Sequence, residues 1–289
     1  GMVETLAKMS GGSLPWLCVT DAYGYGGRTI DELRYGKEGD EPPSYYDRLK
    51  ADITAVKNYC DANEIEMIVP AWCWVQGESD IAVETLNYGT KLLSIEDDFD
   101  SFCMTLTGQA EHVKMMCYQT SSFARKVNYD VFPYSFDIPD VTLDQYDLCK
   151  TDSRFVLTAP IYFNQQGPYN IHLFAKDQKV LGAYEGKQLY RALTVDGYKG
   201  IFIDSVDVDT NDIYLTLNVP CPPVVVDDNF VAKVANCGFS VVKSNDADIV
   251  TGVDVEYDRI IIHCSESPVG CKLRYGATSS YAEYMDGTL

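Results

Sequence analysis

The stretch from Ile68 to Asp80, Ile-Val-Pro-Ala-Trp-Cys-Trp-Val-Gln-Gly-Glu-Ser-Asp, constrains this chain more than any other. Residues 67–75 are rich in branched and aromatic types and have the length of a buried strand. They empty directly into Gln76-Gly77-Glu78-Ser79-Asp80. An α/β fold places such an ending, a glycine with an amide and two carboxylates, at the carboxyl edge of its sheet, where these folds hold their ligands. Ser79 or Asp80 also suits the cap of a following helix, so the same residues fit a purely structural turn.

The surrounding pattern supports an α/β domain. Strands are expected near 16–20, 67–75, 113–118 and 155–158. They alternate with helical patterns over 3–9, 45–63, 81–107 and 142–148, which implies a three-layer fold with a parallel sheet over residues 1–195. After that the texture changes. Short, often alternating runs such as Ile213–Val219, Val253–Glu256 and Ile260–Cys264 are separated by Asp, Asn, Gly and Pro turns. They imply an antiparallel β-sandwich over residues 196–289.

Charge narrows the function. The formal net charge of −20 argues against nucleic acid, which is bound through Lys and Arg on phosphates, and against anionic membrane surfaces. No apolar run reaches membrane-spanning length, and the first residues lack the basic flank and apolar core of a signal peptide. The ten cysteines form no C-x-x-C pair, so zinc and redox motifs lack support and free thiols are expected. Cys18, Cys73, Cys117 and Cys264 fall in apolar runs and read as small buried hydrophobes. The acids Asp207, Asp209, Asp212, Asp227 and Asp228 have no calcium-loop spacing and read as solvated turns. No metal and no organic cofactor is expected.

Two further segments carry candidate chemistry. Ala22 to Leu33 holds Gly24, Gly26 and Gly27 before Arg28-Thr29-Ile30, a strand-to-helix junction whose glycines leave amide N–H groups free. It lacks the Lys-Ser/Thr of a phosphate loop and the G-x-G-x-x-G spacing. His172, one of three histidines, stands between a turn and a helix with Gly182 and Gly186 beyond it. A near-neutral pKa suits an imidazole to take a hydroxyl proton and return it to a leaving group.

Trp74-Val75-Gln76-Gly77-Glu78-Ser79-Asp80 resembles the "W-x-Q-G-E-[SA]-[DN]" block of the sialate O-acetylesterase-like branch of the SGNH hydrolases. That branch includes carbohydrate esterase family 6 and esterase domains of phage tail proteins. Gly26 and Gly27 match the glycines of its "G-G-T-S-I" block. His172-Leu173 with Leu181-Gly182 and Gly186-Lys187 match its last block, "D-x-x-H-L … L-G-x-x-x-G-K". The resemblance implies ester hydrolysis on O-acetylated sugars. His172 would be the general base, and Gly26, Gly27 and Gln76 would form the oxyanion hole. Glu78 would orient the loop or substrate, and Tyr25, Arg28, Trp74, Asp80, Tyr169 and Asn170 would line the pocket. It also implies a carbohydrate partner, and with no signal peptide or membrane span the expected setting is cytoplasmic or virion-associated.

Two positions depart from the pattern. Tyr169 stands where the family has the Asp that orients the base, and a tyrosine carries no charge at neutral pH. The "G-Q-S-N" nucleophile block has no counterpart upstream of Gly26. Ser13 is too close to Gly27 and on the wrong side of its strand, so the nucleophile is unassigned. The expectation is a family member without its nucleophile segment, weakly active or inactive. A homo-oligomer or a partner chain would complete the sheet. The alternative expectation is a non-catalytic glycan-binding or structural module that keeps the pocket, with Trp and Tyr faces for sugar rings.

Overall fold

The structure, a computed structural model, describes residues 1–12, 18–120, 140–163, 172–227, 233–245 and 247–276. The chain divides into two compact units, Gly1–Tyr198 and Lys199–Leu289.

The first unit is built on three parallel strands: β1 (Ala71–Trp74), β2 (Lys114–Gln119) and β3 (Phe155–Pro160), in that order across the sheet. Alternation along β1 assigns its faces. Trp72 and Trp74 point toward helix α5 (Tyr88–Thr107). The Trp72 ring stacks on Phe99, and Trp74 bonds Tyr88. Ala71 and Cys73 point the other way, toward helix α1 (Met2–Met9). On that second face Met116 of β2 and Val156 of β3 meet Leu6 of α1 and Leu189 of helix α7 (Ala175–Thr194). Helix α6 (Asp140–Thr151) packs on α5 and on β2 and β3. Short helix α2 (Ile30–Tyr35), the long α3 (Tyr45–Ala62) and one-turn α4 (Glu78–Ala82) complete the unit.

Several expectations are corrected. No strand forms at 18–20, where Val19 is 66% exposed, and residues 13–17, with Ser13, lie outside the described residues. The strand expected from 67 starts only at Ala71. Pro70 has no N–H to give a ladder, and both backbone groups of Val69 are taken by the Gln109 side chain. The helical pattern expected over 81–107 is two helices, α4 and α5. Glu84 and Asn87 adopt left-handed backbone between them, which a continuous helix does not tolerate. Cys73 is exposed; Cys117 and Cys264 are buried.

The second unit contains two antiparallel sheets. One has four strands in the order β4 (Phe202–Asp209), β5 (Asp212–Asn218), β8 (Arg259–Cys264) and β7 (Val250–Val255). The other pairs β6 (Phe239–Val242) with β9 (Lys272–Tyr275). Ile213, Leu215 and Ile262 of the first share one hydrophobic cluster with Phe239 and Val241 of the second. On β8, His263 is held between Asp212 of β5 at 2.9 Å and Asp254 of β7 at 3.1 Å.

Candidate active site

The turn between β1 and α4 carries a dense set of hydrogen bonds. Gly77 makes it possible. Its φ is 146°, in the region that favours glycine. A Cβ there would sit 3.0 Å from Gln145 Nε2 and 3.1 Å from both Thr120 Cγ2 and Val141 Cγ1.

Gln76 is 8% exposed. Its Nε2 donates to the Arg28 carbonyl at 3.2 Å and to Asp80 Oδ2, while its Oε1 accepts from the Tyr88 hydroxyl at 2.9 Å. Arg28 O and the Asp80 carboxylate can only accept, so the carboxamide has one satisfactory orientation. Tyr88 is fixed in turn by the Trp74 indole N–H at 3.0 Å. Asp80, 0% exposed, also accepts from Ile30 N, the first residue of α2, at 2.9 Å. Burial pushes its carboxyl up, against the bonds from Gln76 and Ile30 that favour the charged form. These contacts tie the Gly26–Gly27 turn to the Gln76 turn. The Gly26–Gly27 turn leads into α2 through Thr29 and Glu32, which cap each other in a reciprocal box.

Glu78 accepts from Thr120 Oγ1 at 3.0 Å and from the Tyr118 hydroxyl. Gln145 of α6, fully buried, joins the two strand ends: its Nε2 donates to Gln76 O at 2.7 Å and its Oε1 accepts from Thr120 N at 2.8 Å. Tyr88, Tyr118, Thr120 and Gln145 were not among the residues expected from sequence. The one signal for any of them was that β2, like β1, runs out into polar residues, Gln119 and Thr120.

The expected site residues do not all meet in one place. Gln76, Glu78, Asp80 and the Gly26–Gly27 turn converge at the carboxyl end of the sheet. Trp74, 6% exposed, and Asp80 face inward, so neither offers a surface to a ligand in this structure. Arg28 is paired with Asp40 and stands 4.9 Å over the exposed Tyr25 ring. His172 is exposed and makes no hydrogen bond or ion pair with a described residue. Its neighbour Leu173 packs with Tyr118, Ile161 and Leu181 at the same carboxyl end. Tyr169 and Asn170 lie outside the described residues. Among the described residues no group of three or more His, Cys, Asp or Glu side chains is placed to hold a metal ion. No helix among them is long and apolar enough to cross a membrane.

No protein-family model matches the sequence, and no curated protein matches it. Among solved structures, the fold is similar to a carbohydrate acetylesterase from Xanthomonas citri. The TM-score is 0.51 at 12% sequence identity, over 72% of this chain and 44% of that one. The chain therefore spans less than half the length of that protein, and the likeness is one of fold.

Proposed function

We propose that this chain is a carbohydrate O-acetylesterase-like domain: a three-layer SGNH unit followed by a β-sandwich, acting on O-acetylated glycans. The observation that carries the reading is the tie between the Gly26–Gly27 turn and the Gln76–Glu78 turn at one sheet end, through Gln76 to Arg28 O and Ile30 to Asp80. The likeness in fold to an acetylesterase supports it. In such a reaction a serine oxygen attacks the acetyl carbonyl and His172 takes its proton. The Gly27 N–H and the Gln76 carboxamide receive the charge on the carbonyl oxygen. Glu78, held by Tyr118 and Thr120, keeps the turn in place.

Two features of the site set the expected turnover low. Among the described residues, none of the side chains bonded in the cluster is a serine. Both N–H groups of Gln76 are engaged, by Arg28 O and by Asp80, so donation to an oxyanion requires one to be released. The same two features favour a second reading, a glycan-binding module that keeps the pocket without the chemistry. A cytoplasmic or virion-associated setting, and a second chain beside β1, belong to the proposal.

Hydrolysis of p-nitrophenyl acetate and of an O-acetylated sugar decides between them. We expect slow turnover that His172→Ala and Gln76→Ala each reduce at least tenfold. Turnover at the buffer rate, with saturable sugar binding retained, would favour the binding module. Turnover unaffected by either substitution would remove the site as drawn.

A further inference from the structure

Asp177 is an unexplained buried carboxylate. It is 6% exposed, and its Oδ2 is buried without a hydrogen-bond partner among the described residues. Neither its carboxylate nor the His172 ring bonds any described residue in this structure. Its place in the first turn of α7 gives a partial reason for a negative charge there, since helix N-termini favour one. First-turn acids usually collect that benefit in water or by accepting a backbone N–H at the cap. Asp177 does neither: the α7 cap at Phe174 has no side-chain bond. A polar oxygen taken out of water without a hydrogen bond costs free energy, so a partner is implied.

The position of Asp177 points to which partner. The buried residues of α7 include Asp177, Leu181, Glu185 and Leu189, spaced by four and so forming one ridge. Leu189 packs on Met116 and Val156, mid-strand, and Leu181 packs on Tyr118 and Ile161, at the carboxyl ends of β2 and β3. One turn further along the ridge, Asp177 stands just past the strand ends. Leu173 belongs to the same cluster as Leu181, so the backbone of its neighbour His172 runs beside that cluster. A histidine next to Leu173 and a carboxylate one turn before Leu181 thus stand five residues apart in the chain, each adjoining a member of one cluster at the end of the sheet that carries Gln76 and Glu78. Lys176 and Lys179, on the same first turns of α7, are exposed.

We infer that Asp177 is the positioning residue for His172, supplying from the helix after the histidine the carboxylate that Tyr169 does not supply before it. This rests on the reading of His172 as the general base. Asp177 would accept from Nδ1–H, hold the tautomer whose Nε2 is free to take a proton, and stabilise the imidazolium that forms. It touches no substrate and acts through the histidine alone.

The test uses the full chain labelled with ¹⁵N-histidine, with His172 assigned by its loss in His172→Gln. At a pH where the ring is neutral, the ring-nitrogen shifts report the tautomer. In the unsubstituted protein we expect His172 to be mainly the Nδ1–H form. Asp177→Asn should shift it toward the Nε2–H form that free imidazoles prefer. Asp177→Ser serves as the second variant if the amide folds poorly. Where hydrolysis is measurable, kcat should fall at least tenfold in these variants with KM little changed. An identical His172 spectrum in the unsubstituted protein and both variants would overturn the inference, whatever happens to stability. The tautomer is read without turnover, so an absence of esterase activity counts against the proposed function and not against the pair.

Discussion

A side chain at position 77 has nowhere to go. Its backbone lies at φ 146°, and three atoms from β2's end and α6 stand 3.0–3.1 Å from where a Cβ would be. Strained backbone and overpacking each cost about 1–3 kcal/mol, so Gly77→Ala should lose at least about 2 kcal/mol in urea unfolding. A loss below about 0.5 kcal/mol would mean that the turn can relax. Glu96 offers a second test at this scale. Its carboxylate is fully buried beside Trp72, whose Nε1 donates to it at 2.6 Å, and burial pushes its pKa from 4.5 up to about 8. Below pH 4.5 the folded and unfolded chains both hold this proton. Between 4.5 and 8 only the folded chain keeps it, so stability falls as pH rises; above 8 the loss is complete. Glu96→Gln keeps an acceptor for Trp72 and removes the titration. It should be near neutral at pH 4.5 and stabilising by a few kcal/mol at pH 8.5, on the order set by 1.36 kcal/mol per pKa unit. Equal effects at both pH values would show that Glu96 titrates normally. The place of Gln76, Glu78 and Asp80 at the end of a strand was legible because a polar cluster after an apolar run is a local signal. The inward turn of Asp80 and the bonds from Tyr88 and Gln145 were not. Gln145 lies 69 residues from Gln76, and only the packing of α6 brings it there.

Elements were legible where one periodicity ran uninterrupted. Helix α5 presents Leu92, Ile95, Phe99 and Cys103 on one buried face and stops at Gly108 in the left-handed region, and both the stripe and the stop stand in the sequence. The split before it was easy to miss: Asn87 is a residue type that adopts left-handed backbone readily, but Glu84 carries no such mark. The run at 18–20 reads as a strand by residue type, yet a strand needs a partner, and no described strand pairs with it. Gly182 and Gly186 were read as part of the histidine block. Their structural role is the crossing of α1 over α7, where a Cβ on Gly186 would stand 2.9 Å from Thr5 Cβ and closer still to the Met2 carbonyl. Gly186→Ala should therefore destabilise the first unit by about 1–3 kcal/mol, read by chemical unfolding followed through far-ultraviolet circular dichroism. Gly182→Ala, whose nearest contacts are at 3.3 Å, should cost less. The reverse order would mean that the helices cross elsewhere. In the second unit, His263 joins β5, β8 and β7. Hydrogen bonds from the ring to Asp254 and Asp212 hold its pKa above 6.5. A raised histidine stabilises the fold fully below its unfolded pKa and loses that contribution as pH rises through the folded value. His263→Gln should flatten the decline of this unit's melting temperature above pH 6.5. An unchanged slope would show the ring to be neutral between its two carboxylates.

At the scale of the whole chain, the change of texture after about residue 195 was the most legible feature, because alternation of period two replaces helical stripes over many residues at once. Each unit has its own core: Leu6, Met116, Val156 and Leu189 in the first, Ile213, Leu215, Val241 and Ile262 in the second. A unit with a closed core and its backbone paired in two sheets holds most of what it needs to fold alone. Between the units, Val195, Gly197, Lys199 and Ile201 are exposed, in a stretch without helix or strand before Phe202. Such a segment is where a protease finds backbone able to enter its site. Trypsin at low ratio should therefore cut early after Lys199, releasing a C-terminal piece that begins at Gly200. Produced separately, residues 199–289 should give a β-type spectrum and a cooperative melt. The first unit's buried Glu96 and the second unit's His263 should then titrate in separate pieces. Resistance at Lys199, together with an unstructured 199–289 fragment, would mean that the β unit depends on the α/β unit for its fold. The chain would then have to be treated as one cooperative body.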